Sequence, residues 1–348
     1  MKCSNQMRNF LILIFFLSSS SLFAQFNAIY PIGDRPAVGS RAGLTNRETI
    51  LFEALPIVRY SLHNKIRNVL NNSQKYATAF YISYRPQLRM YTSESLPVKM
   101  PSYRAFLGGQ FFKQISDTRQ FAISIESGHY SNGQSGCAYD KTLVDGSDSC
   151  VSLYESILNP STDLSDELNR KNGEFSTNLT EVVFNYRISN LGDEFIRNSI
   201  HSFNAGFDYY HRHFFGLLDF GGFSSEDIQI YGRWRTMASY EFITPVQALR
   251  KTKLAEYFSH ASLKQSIEII HGAHAHVNPI RLNLTGSVFF RNGFGLFLSV
   301  VHGHDNYNIR FVDSGTEYAG GVTWSIFPYA QLFKDKAGKN TQMGRRKQ

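Results

Sequence analysis

The chain has 348 residues, with 36 Lys and Arg against 28 Asp and Glu, a formal net charge of +8 and an aromatic content of 14%. The basic excess forms no Lys/Arg block inside the body of the chain, which gives nucleic-acid binding little support; anionic lipid or lipopolysaccharide is a simpler counterpart. After the first residues no apolar run approaches the ~20 that a spanning helix needs, which excludes a helical membrane protein.

At the N-terminus, Lys2 and Arg8 flank an unbroken apolar run from Phe10 to Leu17, and Ser18 to Ala24 leads to a small residue at the cleavage position. Residues 1–24 therefore read as a secretory signal peptide. Its removal takes away two basic and no acidic residues and lowers the charge to +6.

Beyond the signal, the chain alternates with a period of two. Such segments lie at about Thr49 to Ser61, Lys75 to Tyr91, Tyr103 to Gln114, Arg119 to Tyr130, Glu174 to Ser189, Ser199 to His211, Asp227 to Ile243, Glu256 to Ile270 and Thr316 to Phe327. Two more are the clearest. In Ile280 to Phe290 the even positions are apolar and the odd ones mostly polar, Asn292-Gly293 makes a tight hairpin turn, and Phe294, Leu296, Leu298 and Val300 resume the apolar phase.

A soluble sandwich has the same periodicity. Strands near ten residues, aromatics near strand ends, weak hydropathy and a secretory signal together favour an all-β fold, a transmembrane antiparallel β-barrel. Even strand numbers in such barrels call for a twelfth strand, expected within Phe26 to Ala42. The expected architecture is one twelve-stranded domain over residues 25–333, followed by a basic periplasmic tail, Lys334 to Gln348. Counting back from the C-terminus makes the connections near 92–102, 131–173, 212–226, 271–279 and 305–315 extracellular.

The run Phe121-Ala122-Ile123-Ser124-Ile125-Glu126 continues to His129-Tyr130-Ser131-Asn132-Gly133, with His129 and Ser131 in the apolar phase. Residues two apart on a strand share a face. On a barrel, an imidazole base and a hydroxyl nucleophile then sit together on the lipid-facing surface near the outer rim. The next strand offers Asn178 or Glu174 at the same parity to orient the imidazole. Cys137 and Cys150, in a polar loop rich in Gly, Asp and Ser, suit a disulfide in an oxidising compartment. His271, His274, His276, His302 and His304 fall in or beside extracellular connections and could gather a transition metal. Asn178-Leu179-Thr180 matches a glycosylation sequon, which its strand position argues against.

The stretch Glu126-Ser127-Gly128-His129-Tyr130-Ser131-Asn132-Gly133-Gln134-Ser135 resembles the catalytic strand of the outer-membrane phospholipase A family, whose pattern is H-x-S-N-G-x-S. Ser83-Tyr84, Thr92 to Pro97 and Tyr103 to Gly108 look like the elements preceding that strand, and Gly303 to Val322 loosely resembles the family's final hairpin. The resemblance implies a twelve-stranded, calcium-dependent, dimeric enzyme that cleaves acyl esters of phospholipids. His129 would be the general base, Ser131 the nucleophile and Asn178 the orienting residue, with backbone amides near Gly133 stabilising the oxyanion. It further implies calcium (Ca2+) ligands at Ser95, at the main-chain oxygen of Gln134, where the family has arginine, and at Glu174, where the family has serine. Gln87 would be a polar contact in a lipid-embedded homodimer face. The loop from Gly136 to Gly173 is much longer than the family's connection.

Two other readings stand beside this one. His-x-Ser-Asn followed by a glutamate also resembles outer-membrane lipid A 3-O-deacylases, in which Glu174 would complete the triad. A non-catalytic barrel, porin-like or structural, would have no reason to set His129, Ser131 and Asn178 all in the lipid-facing phase.

Overall fold

The computed structural model describes residues 30–44, 48–70, 74–92, 98, 100–116, 118–191, 197–214, 218–219, 221–246, 257–290 and 292–325. The expected signal peptide, the basic tail and Ser95 lie outside the described residues. The strands in chain order are β1 Ala37–Gly43, β2 Ile50–Leu55, β3 Val58–Asn64, β4 Tyr76–Tyr84, β5 Leu88–Tyr91, β6 Tyr103–Ser116, β7 Arg119–Ser131, β8 Ser176–Leu191, β9 Arg197–His211, β10 His213–Phe214, β11 Leu218–Asp219, β12 Trp234–Pro245, β13 Phe258–His271, β14 Ile280–Phe290, β15 Phe294–His304 and β16 Ser314–Trp324. Helices are α1 Ile66–Leu70, α2 Asp148–Ile157, α3 Leu164–Glu167 and α4 Ser225–Tyr231.

Apart from the small β10/β11 hairpin, these strands form one antiparallel sheet in the order β3-β4-β6-β7-β8-β9-β12-β13-β14-β15-β16-β1-β2-β5. It has fourteen strands where twelve were expected, and its hydrogen-bonded order does not return on itself. Two facing prolines account for both departures. Ala54 pairs with Leu88 and Val58 with Tyr84 in a single register, which sets Pro56 opposite Pro86. Neither has an N–H to donate, so the ladder lapses there and each of two long passages is cut in two. β2 continues into β3 across Pro56 and Ile57, and β4 into β5 across Arg85 to Gln87. Counted as passages of chain, the sheet has the twelve expected. β1 falls where the twelfth was sought, pairing with β16 on one side and β2 on the other.

A second difference concerns the segment from Asp227. It begins as α4, because Ser224 and Asp227 form a reciprocal capping box with both bonds at 3.0 Å, and β12 starts only at Trp234.

The two faces of the sheet decide between sandwich and barrel. On β7, the even-numbered Gln120, Ala122, Ser124, Glu126, Gly128 and Tyr130 are all buried, while Ile125 on the other face is 52% exposed. Across the sheet the exposed face carries Phe80, Ile82, Leu284 and Leu298, and the hidden face carries Glu53, Arg89, Arg235 and Glu317. A soluble sandwich hides its apolar face, so this inversion fits a sheet curled around a polar interior with lipid outside. Many of the buried charges are paired, as burial demands. Arg89 lies between Glu53 and Asp305, each at 2.7 Å; Arg41 reaches Glu53 at 2.5 Å and Glu317 at 3.4 Å. Gln87 also turns inward, its amide nitrogen donating to Glu53 at 2.9 Å, and so is not on the lipid face where a dimer contact would need it.

The connections 132–175 and 305–313 and the described part of 212–233 fold together at one end of the barrel. Their shared core is aromatic: Phe175 packs on Tyr130, Phe223, Tyr231 and Phe311 with ring centroids 4.8 to 5.6 Å apart. The disulfide Cys137–Cys150 lies within the first connection, both sulfurs' residues being buried. Toward the other end, residues 30–36 cross the interior, with Ile32 bonded through its backbone to the Gln110 amide and Arg35 paired with Glu241 at 2.6 Å.

Leu298, 75% exposed in the middle of β15, tests the inversion. On a water-facing surface Leu298→Arg would be nearly neutral; on a lipid face it is expected to cost about 2–4 kcal/mol, read as a lower denaturant midpoint in bilayers.

Candidate active site

Alternation along β7 turns His129 and Ser131 outward, and Tyr130 between them anchors the strand from within. Tyr130 is fully buried, with the Arg104 guanidinium 4.3 Å over its ring and the backbone N–H of Asn308 donating to its hydroxyl at 2.6 Å. On the outer surface, Ser131 is flanked by Tyr103 of β6 and Ser176 of β8, and His129 by Ala105 and Asn178.

His129 Nδ1 lies 3.2 Å from Asn178 Oδ1. The amide oxygen can only accept, so Nδ1 carries the proton and Nε2 is left as the basic nitrogen. Asn178 is itself buried, and its Nδ2 donates to the carbonyl oxygen of Arg212 at 2.7 Å. Of the two candidate orienters, then, Asn178 is the one hydrogen-bonded to the imidazole. One row further along the same face, Ser127 and Thr180 share a hydroxyl bond of 2.8 Å, and Thr180 meets His211 Nε2 at 3.0 Å. Polar groups on this surface are thus bonded to one another, as a lipid-facing site requires.

Asn132 belongs to the recognised motif, but its part in the fold was not legible in the sequence. It is fully buried and pins the turn after β7 to the chain entering β8: Nδ2 donates to Gly173 O at 2.7 Å, while Oδ1 accepts from Phe175 N–H at 3.0 Å and Gln134 N–H at 3.2 Å. Gly133 follows with φ +66°, a conformation that favours glycine. An Asn-Gly pair after a strand signals a turn, but nothing local reveals partners some forty residues away.

Glu174 lies apart from His129. It lines a cavity with Asp145, Ser176, Gly221, Phe223 and Asp227. Burial, then the neighbouring Asp145 carboxylate, pushes its pKa up to about 7; burial likewise raises Asp145, and lifts Asp227 to about 6. Carboxylates held this close offer hard oxygens of the kind calcium takes. Among the described residues, however, no group of three His, Cys, Asp or Glu is placed to hold a metal. The loop histidines are separately engaged: His274 with Asn159 O at 2.9 Å, His276 with Asp163 at 3.2 Å and His304 with Glu268 at 3.1 Å.

No protein-family model matches the chain, and no curated protein does. Solved structures are similar at low identity. Outer membrane phospholipase A from Escherichia coli aligns with a TM-score of 0.49 and 12% identity over 88% of this chain and 98% of that one. The Salmonella typhi outer membrane phospholipase dimer with bound calcium aligns with a TM-score of 0.49 and 13% identity over 89% and 96%. LpxR from Salmonella typhimurium aligns with a TM-score of 0.37 and 8% identity over 84% and 99%. Likenesses this loose assign no activity, which has to be inferred from the side chains themselves.

Two outcomes are expected. Asn132→Ala leaves two N–H groups and a carbonyl unpaired and should destabilise the fold by roughly 2–4 kcal/mol, measured by denaturant titration in bilayers. Glu174 ionises at its ordinary 4.5 when unfolded and near 7 when folded, so its contribution to stability is complete below pH 4.5 and is lost as the pH rises to 7. With chelator present, the protection factors of backbone amides of 136–173, corrected for the intrinsic pH dependence of exchange, should therefore be lower at pH 8 than at pH 5, and Glu174→Gln should flatten that difference.

Proposed function

We propose that this protein is an outer-membrane phospholipase of the A1/A2 type, a serine esterase that hydrolyses acyl ester bonds of membrane phospholipids at its lipid-facing surface. The observation that carries the reading is the 3.2 Å bond from His129 Nδ1–H to Asn178 Oδ1 on the outward face, with Ser131 two positions further along the same strand. A structural pair needs no oriented imidazole beside a hydroxyl in the lipid-facing phase.

In the proposed mechanism, His129 Nε2 takes the Ser131 hydroxyl proton as Oγ attacks the ester carbonyl carbon, and the imidazolium formed is held by Asn178 Oδ1. The proton then passes to the departing alcohol oxygen, leaving an acyl-serine. Water, deprotonated by the same nitrogen, attacks the acyl carbonyl carbon, and the proton passes to Ser131 Oγ as the carbon–Oγ bond breaks and the fatty acid leaves. The amides on either side of Gly133 are engaged, Asn132 N–H with Phe175 O and Gln134 N–H with Asn132 Oδ1. The Gly133 N–H is accordingly assigned to the oxyanion. Calcium, when bound, would polarise the carbonyl oxygen; Glu174 and the Gln134 carbonyl are its proposed ligands here, with Ser95 from a second copy in an active homodimer. The capped loop end is proposed to face the cell exterior, with the site at its rim.

A lipid A deacylase remains the closest alternative, since it would share nucleophile and base. It is disfavoured because Asn178, not Glu174, meets His129. A porin is disfavoured because ion pairs occupy the interior and the aromatic cluster caps one end.

The test is hydrolysis of a fluorescent phospholipid by refolded protein, with calcium or chelator, followed by mass analysis of the products. Wild type should release fatty acid in calcium, and Ser131→Ala or His129→Ala should lower kcat by at least ~10³-fold. Equal inactivity of wild type and Ser131→Ala would remove the enzymatic reading; chelator-resistant cleavage of lipid A would favour the deacylase.

A further inference from the structure

A neutral amide orients an imidazole only if something decides which way round it sits. Turned over, Asn178 would present its NH2 group to His129 Nδ1 and select the tautomer that carries its proton on Nε2, leaving no base for Ser131. The Arg212 carbonyl decides this: it accepts from Asn178 Nδ2 at 2.7 Å and would repel the amide oxygen in the reversed orientation. Arg212 C=O thus selects the tautomer of a histidine it does not touch.

Two features hold that carbonyl. Next to it, His211 Nδ1 donates to His213 O at 2.9 Å and fixes the turn around Arg212. Above it lies the backbone of Gly222, so close that a Cβ added there would overlap the Arg212 carbonyl oxygen, carbonyl carbon and Cα. All three are backbone atoms, so no side chain can swing aside to make room. The adjacent Gly221 does a different job. Its φ is +63°, and its carbonyl accepts from Ser176 Oγ at 2.6 Å, which ties this strap to the residue paired with Ser131.

We propose that Gly222 is a positioning residue for the triad: by letting the backbone strap 221–222 press on Arg212, it fixes the carbonyl that orients Asn178 and hence the protonation pattern of His129. The proposal rests on the reading that His129, Ser131 and Asn178 act together.

The experiment uses the full refolded chain carrying Gly222→Ala, with two readouts. Turnover of a fluorescent phospholipid should lose about 10- to 100-fold in kcat with KM changed less than about twofold, the scale that a small misplacement produces. The 15N shifts of His129 should change from a single Nδ1–H pattern to a tautomer mixture. A merely structural role is separated by Asn178→Asp. A carboxylate accepts whichever way round it sits, so Gly222→Ala added to Asn178→Asp should cost less than about threefold. An equal factor in both backgrounds, or a folded Gly222→Ala protein with wild-type kcat and a single tautomer, overturns the proposal. Should Gly222→Ala not fold, Ser176→Ala unties Gly221 without adding an atom and must show the same tautomer mixing, or the proposal fails. If the wild type hydrolyses no phospholipid, the function is wrong, and the tautomer readout still decides this inference.

Discussion

The constraint on which the rest depends is the inversion of the sheet. With apolar side chains outside and charge within, every strand residue is committed by parity to lipid or to the interior, and a shift of one residue would exchange the two sets. Tyr130 shows how firmly β7 is committed. Buried under Arg104 and bonded to Asn308, it cannot turn outward, and so neither His129 nor Ser131 can turn inward. The outward position of the pair is enforced by the residue between them.

Placing polar chemistry on such a surface sets a second condition: each donor and acceptor must find its partner on the sheet, because hydrocarbon supplies none. Asn178 meets it at both ends, one oxygen to His129 and one nitrogen to Arg212. Ser127, Thr180 and His211 meet it among themselves. An ionised carboxylate in the place of Asn178 would need a counter-charge against lipid, and carboxylates that the region does offer, Glu174, Asp145 and Asp227, sit off the membrane face in the loop cavity, where burial raises their pKa values. A neutral orienter is the cheaper solution in free energy, and its cost is that its direction must be fixed from behind.

Parity made the strand pattern and the pairing of His129 with Ser131 legible, because a period of two is local information. It also admitted Asn178, though it could not separate Asn178 from Glu174, which has the same parity; only the register of β8 against β7, set beyond a long connection, does that. The facing of Pro56 and Pro86 was invisible for the same reason, as each proline alone reads as a minor irregularity. Residues 227–231 alternated well enough to suggest a strand, and the capping box at Ser224 and Asp227 overrode that signal. The interior ion pairs join residues as far apart as Arg89 and Asp305, which no spacing rule connects.

The separation of interior from exterior also bears on what the barrel is for. If transport were its task, selection would act on the lumen, yet here the lumen is where the structure spends its charged residues in mutual pairing, as around Arg89 and Arg41. The oriented polar groups, His129 and Ser131 half-buried and Asn178 buried beside them, are instead on the outside, at the end where the loops pack. There the connection 132–175 serves two surfaces at once. Phe175 drives into the aromatic cap, and Asn132 bonds to its backbone, so the cap and the turn that follows Ser131 are one rigid unit. Ion pairs across the interior brace the wall behind the outer face, and the proposed outward triad on that wall would act on the membrane itself rather than on anything passing through it.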